Sequence, residues 1–164
     1  MPRALGILRV VAPEVELPLE GGCGCGAVRF RIDAPLEAAA YCHCTRCQRR
    51  TGTASQASGR VVPGSFHVTE GEEALRRWMP PDGYEKVFCG RCGSALYGEN
   101  PEDRDFITVR LGAFDSDPGI RPAARQFVAY AAAWEPIPDD GLPRFDERIP
   151  PASADCWHRA LGPG

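Results

Sequence analysis

From Glu14 to about Phe145 the chain is built of short apolar runs, several alternating with polar residues, cut by glycine, proline and aspartate. A period of two over four to eight residues predicts strands rather than helices. In residues 27–32, Val28, Phe30 and Ile32 share one face while Arg29 and Arg31 occupy the other. Val15-Glu16-Leu17 also alternates, and Gly21-Gly22-Cys23-Gly24-Cys25-Gly26 between the two runs is rich in the residue that accepts turn geometry, so together they predict a hairpin. Residues 37–41 lead into a cysteine-rich loop, and residues 44–50 predict one short helical turn. Strands are expected over residues 54–62, 66–69, 84–88 and 106–111, the last being the clearest in the chain. Residues 74–79 suit either a strand or a helix, ended by Pro80-Pro81-Asp82-Gly83. Residues 126–132 predict a late strand, with Trp134 anchoring the core near its end. The sum is a mainly β protein with little helix. Residues 1–13 read as an N-terminal arm, 14–146 as one domain and 147–164 as a C-terminal tail. From Glu135 onward the chain is rich in Pro, Asp and Gly and should wrap the surface.

Composition narrows the function classes. The 164 residues are 43% apolar and 25% charged, ordinary for one globular domain. A formal net charge of −3 argues against a nucleic-acid surface, which needs a concentrated excess of Lys and Arg. Lys86 is the one lysine among 19 basic residues. The apolar start at residues 4–11 is interrupted by Arg9 and followed by Pro13, Glu14 and Glu16, too short and too broken for a secretion signal or a membrane span. A cytoplasmic location is therefore expected, and there eight cysteines are read as metal ligands or reactive thiols rather than a disulfide framework.

Seven of those cysteines form three groups. Cys42, Cys44 and Cys47 stand in a C-x-C-x-x-C spacing that lets three sulfurs converge, a donor set suited to tetrahedral zinc with Zn–S bonds of about 2.3 Å. Cys89-Gly90-Arg91-Cys92-Gly93 has the spacing of a zinc knuckle, and Cys23-Gly24-Cys25-Gly26 can donate two more ligands. Spacing does not fix which pairs combine. If the two pairs close one four-cysteine site, the triple is left with an open position, the pattern of a catalytic zinc. Three thiolates on a dication leave a centre of about −1, a poor Lewis acid but a good holder of an incoming thiol as thiolate. A fourth ligand drawn from His43, His67, Cys156 or His158 would instead make the triple structural, and Cys156 otherwise reads as an unpaired thiol. Arg46, Arg49 and Arg50 flank the triple and can meet the carboxylates of a peptide-like thiol, or equally form a solvated face. Gln48, Thr51 and Ser55 are further polar candidates, and Tyr41, Trp78 and Tyr97 are aromatic ones.

The segments Gly22-Cys23-Gly24-Cys25-Gly26-Ala27-Val28-Arg29-Phe30, Cys42-His43-Cys44-Thr45-Arg46-Cys47-Gln48 and Phe88-Cys89-Gly90-Arg91-Cys92-Gly93-Ser94-Ala95-Leu96-Tyr97 resemble, in order, the three signature segments of the glutathione-dependent formaldehyde-activating enzyme family. Residues 134–145, beginning Trp134-Glu135-Pro136, are similar to its closing segment. The resemblance implies an Mss-four-like fold of folded-over β-sheets around a structural four-cysteine zinc, as in methionine sulfoxide reductase B. It places that zinc on Cys23, Cys25, Cys89 and Cys92, and a second, catalytic zinc on Cys42, Cys44 and Cys47. It further implies a carbon–sulfur lyase-type activity that joins glutathione and formaldehyde. The expected partners are thus a small-molecule thiol and an aldehyde, with no nucleic acid and no membrane. Two alternatives remain open: a non-catalytic zinc module that binds a protein or small ligand, and the same thiol chemistry on another substrate.

Overall fold

The computed structural model describes residues 15–150, and the expectations that fall on residues 1–14 and on Cys156 and His158 lie outside them. Eleven strands form two sheets among the described residues. The smaller sheet pairs β1 (Leu19–Gly22), β2 (Arg29–Ile32) and β5 (Phe66–Glu70) in the order β1-β2-β5. The larger contains β3 (Ala38–Cys42), β4 (Gln56–Arg60), β6 (Leu75–Trp78), β7 (Glu85–Cys89), β8 (Ala95–Asn100), β9 (Asp103–Arg110), β10 (Arg125–Gln126) and β11 (Arg144–Phe145). Its order is β11-β10-β3-β4-β9-β8-β7-β6. The fold is mainly β, as the alternation predicts, with one α-helix among the described residues, α1 (Thr45–Thr51).

The core lies where the apolar faces of the two sheets meet. Phe30 and Ile32 turn inward from β2 while Arg31 stays exposed, and Val28 is buried at the entry to the strand. Phe30 stacks against Phe66 at 5.5 Å between ring centroids and meets Phe114 edge-on at 5.6 Å. Phe66 in turn packs at 4.7 Å on Tyr97, beside fully buried Val87, Leu96 and Val109 of the larger sheet. Each such side chain contributes about 1.5–3 kcal/mol by leaving water. Gly71, just after β5, passes close to the residues that lead into β2: its φ is +74°, and a Cβ there would lie 1.8 Å from the Ala27 carbonyl oxygen. Only glycine combines that backbone angle with that contact.

Several elements differ from expectation. The hairpin forms, but its first strand is Leu19–Gly22 rather than Val15–Leu17, because Leu19 finds a buried place opposite Ile32 while Leu17 remains exposed. The ambiguous segment 74–79 resolves as a 3-10 turn, Glu72–Ala74, followed by β6, which pairs antiparallel with β7. The late strand expected over residues 126–132 is not formed. Its place is taken by two-residue β10, parallel to both β3 and β11, after which Phe127 adopts a φ of 58° and Val128–Tyr130 makes a 3-10 turn. The Phe127 N–H goes to the Glu147 carbonyl instead of continuing a ladder. Trp134 is 67% exposed and lies outside the core of the described residues, whereas Ile149 is buried against Ala40, Ala124 and Phe145. No helix among the described residues is long and apolar enough to cross a membrane.

Candidate metal centres

Turns, rather than strand interiors, deliver the cysteines. Cys23 and Cys25 sit in the β1–β2 turn, where the Cys23 and Gly26 N–H groups donate to the Val28 and Cys23 carbonyls. Cys89 ends β7, and Cys92 lies in the tight turn closed by the Gly93 N–H on the Cys89 carbonyl. The two turns come from different sheets, yet the sulfurs of Cys23, Cys25, Cys89 and Cys92 all lie within 4.8 Å of one another. Cys23 Sγ is 3.5 Å from Cys25 Sγ, and Cys25 Sγ is 3.9 Å from Cys89 Sγ. Polar hydrogens meet this group: the Val28 N–H donates to Cys23 Sγ at 3.2 Å, and the Ser94 hydroxyl lies 3.2 Å from Cys92 Sγ. Ser94 thereby holds the Cys92 thiol down at about 5. Four sulfurs within this distance of one another fit a closed tetrahedral metal site.

The second group is local in sequence. Cys42 ends β3, Cys44 caps α1 with its sulfur accepting from the Cys47 N–H at 3.4 Å, and buried Cys47 lies in the first helical turn. The expected helical turn is therefore present, and its cap is itself a candidate ligand. Gly52, at a φ of +68°, ends it. The three sulfurs lie within 4.8 Å of one another. Hydrogen bonding from the Cys42 and Cys47 thiols holds Cys44 far below the ordinary thiol value, while the same contact with Cys44 drives Cys42 upward. Three thiolates this close repel, and a cation relieves them.

The loop carrying these sulfurs is braced from both sides. Tyr41 and His43 donate backbone N–H groups to the Ala124 and Gln126 carbonyls across β10. Gln48 Nε2 donates to the His43 carbonyl at 2.6 Å and the Tyr130 carbonyl at 2.8 Å. His43 is buried with Nε2 at 3.3 Å from Arg125 Nη1. Burial first, then the Arg125 charge, pushes its pKa down, against a hydrogen bond to the Ala54 carbonyl. A neutral ring engaged in this way is not a fourth donor to the triple. His67 is not one either, since its Nε2 lies 3.1 Å from Asp33 Oδ2 on the smaller sheet. Among the described residues the triple has no fourth His, Cys, Asp or Glu ligand.

The three arginines predicted beside the triple separate. Arg46 pairs with Asp82, Arg49 is exposed, and Arg50 lies over the Phe88 ring at 5.7 Å. Arg50 also lines a cleft of about 610 Å³ together with Thr51, Gln56, Arg110, Cys23 and Cys92. The cleft thus runs between α1 and the four-cysteine turn. Cys42, Cys44 and Cys47 do not line it; they act on it through the charge of Cys47 on Arg50 and Arg110. Arg110, at the end of β9, is a buried cation that the alternation of residues 106–111 does not reveal. Burial lowers its pKa to about 10 and that of Lys86 to about 8. No carboxylate lies within ion-pairing distance of Arg50, Lys86 or Arg110 among the described residues. Of the aromatic candidates, Tyr97 belongs to the core, Trp78 is exposed, and Tyr41 lies 4.4 Å beneath the Arg125 guanidinium. None of the three lines the cleft.

The fold and site define a class: a β protein in which two cysteine groups, one bridging the sheets and one in a braced loop, can each hold a metal ion. The sequence profile of the family described as "Glutathione-dependent formaldehyde-activating enzyme" matches residues 18–130, and the chain belongs to that family. It is 29% identical over 153 residues to a Halomonas elongata protein named "Putative glutathione-dependent formaldehyde-activating enzyme", covering 88% of this chain and 96% of that one. It is also similar to the crystal structure of a Rhodobacter sphaeroides protein at 22% identity and a TM-score of 0.48, over 77% of this chain and 99% of the other.

Proposed function

We propose that this chain is a zinc-dependent enzyme of carbon–sulfur lyase type, adding glutathione to formaldehyde or a related small aldehyde at the three-cysteine group. The observation that carries the reading is a cluster of three sulfurs with no fourth protein donor among the described residues, in a chain of this family. Cys23, Cys25, Cys89 and Cys92 are assigned to a structural zinc, and Cys42, Cys44 and Cys47 to the catalytic one. A zinc ion bound by the triple would hold an incoming thiol in its thiolate form.

The chain's own residues do the rest. Arg50, Lys86 and Arg110 place positive charge within reach of Cys47 that no carboxylate among the described residues pairs with, which favours the deprotonated state of sulfur nearby. The addition forms one carbon–sulfur bond and protonates the aldehyde oxygen to a hydroxyl, so it needs no redox partner. Both ring nitrogens of His43 are engaged elsewhere, which assigns that proton to water. The gain is mainly proximity of thiolate and carbonyl carbon. We further assign residues 14–146 to the catalytic domain and the protein to the cytoplasm, where low-molecular-weight thiols stay reduced.

Metal content combined with zinc-edge X-ray absorption, with and without glutathione, tests the reading. Two zincs per chain, one gaining a fourth sulfur only in the presence of glutathione, are expected. Cys47→Ser should remove that zinc and the activity together. A folded Cys47→Ser protein with full activity would sink the mechanism.

A further inference from the structure

The cleft holds a set of polar groups that the metal assignment leaves unexplained. Arg110 is 93% buried, given its 7% exposure, and pairs with no carboxylate among the described residues. Its Nη1 donates to Ser58 Oγ at 2.9 Å, but its Nε is buried and has no hydrogen-bond partner. Arg50 Nε is likewise buried without a partner. Gln56, whose Nε2 donates to Ser58 Oγ at 3.1 Å, leaves its Oε1 unpaired. All three residues line the same cleft. Two guanidinium groups brought close enough to repel each other, and desolvated without an anion, are costly, since a buried charge is normally paired and an unmet donor loses its water for nothing. The sulfurs of the triple, Cys47 above all, answer part of that charge from outside the cleft. The cleft itself is lined by one carboxylate, Asp115, and that group is taken up by Arg29.

We propose that Arg50 and Arg110, positioned with Gln56 and Ser58, form a carboxylate-binding subsite in this cleft, which takes one carboxylate of the thiol substrate while its sulfur reaches the three-cysteine group. This deepens, and rests on, the reading of the site as a thiol-binding centre. It relocates substrate recognition. Arg46 is occupied by Asp82 and Arg49 is exposed, so of the three arginines beside the triple only Arg50 serves, and its counterpart comes from the far strand β9. Guanidinium groups match carboxylate geometry with paired N–H donors, which gives orientation as well as affinity.

The test compares glutathione with its diethyl ester, in which both carboxylates are masked, and S-methylglutathione with its own diester, in which the sulfur is masked as well. Binding of each is measured by calorimetry to the metal-loaded wild-type chain and to Arg50→Gln, Arg110→Gln and Arg110→Lys. Wild type should bind S-methylglutathione about 10- to 100-fold more tightly than the diester, the range of a charged hydrogen-bond pair. Arg50→Gln should remove that difference, and Arg110→Lys should restore part of what Arg110→Gln loses. Arg50 is only partly buried, so Arg50→Gln keeps the test alive if Arg110→Gln does not fold. Equal binding of acid and ester to wild type, or an unchanged difference in Arg50→Gln, overturns the subsite even if absorption spectra show the glutathione sulfur at zinc. Conversely, a carboxylate-dependent difference without any change at zinc supports the subsite and rejects the thiol-binding reading.

Discussion

Under the proposed assignment, stripping metal from the four-cysteine group should destabilise the protein about twice as much as emptying the triple, and the difference can be worked from chain connectivity. Cys25 and Cys89 are 64 residues apart and come from different sheets. A cross-link closing a loop of that length removes denatured-state entropy worth about 4 kcal/mol at 25 °C. The triple spans only residues 42–47, so the logarithmic length term falls by about 2 kcal/mol for the same kind of cross-link. For a chain of this size each kcal/mol moves Tm by about 2–4 °C. Cys89→Ser, at a fully buried position, should therefore lower Tm by roughly 8–16 °C on the loop term alone. Cys44→Ser should shift it by about half as much or less. Differential scanning fluorimetry of both variants, with zinc counted by mass spectrometry, decides the matter. A Cys89→Ser protein that has lost its structural metal yet melts within 2 °C of wild type, taken as roughly the resolution of one kcal/mol, would refute the reasoning.

Three further outcomes follow from the packing and charge. Leu96→Ala, at a site with no exposure, should cost about 2–5 kcal/mol in urea unfolding, whereas Leu17→Ala on the surface should stay within about 0.5 kcal/mol. Gly71→Ala sets a Cβ 1.8 Å from the Ala27 carbonyl oxygen at a φ of +74°, so it should yield protein with lost near-ultraviolet circular dichroism or no soluble protein at all. Burial works to raise the Glu85 pKa, but hydrogen bonds from Arg104 and Arg77 outweigh it and hold the carboxyl below its ordinary 4.5. Its stabilisation is thus complete above 4.5 and lost as pH falls through the depressed value, and Glu85→Gln should flatten the fall of the urea midpoint below that pH.

How much of this was legible in the sequence depends on the range of the interactions involved. Val28, Phe30 and Ile32 announced their inward face because strand alternation is a local property, and the C-x-C-x-x-C spacing announced the triple because its ligand geometry is local to one loop, whereas the joining of the two cysteine pairs depends on turns 64 residues apart. The short helix at residues 45–51 was visible for the same reason. Strand β10 was not, since two residues carry no period and exist as a strand only by parallel pairing with partners far away in the chain. Trp134 is large and apolar but is covered by no element among the described residues. Arg110 is the most instructive omission. In residues 106–111 a charged residue reads as solvent-facing, and it is buried only in the folded chain, where Ser58 of β4 pairs opposite it. A lone charge in an otherwise apolar strand is the signal that could have found it.

The parallel seam of β10 also bears on how the chain must be made. The four cysteines that bridge the sheets are all present once Cys92 has been synthesised, so that junction can form on a nascent chain. The loop of Cys42, Cys44 and Cys47 cannot reach its final form so early. It is held by the Ala124 and Gln126 carbonyls, and β10 is held in turn by Arg144 and Phe145. A ribosome-bound chain arrested before those residues would therefore carry all four cysteines of the junction and an unbraced triple, and the two groups should become competent to hold metal in an order set by translation itself.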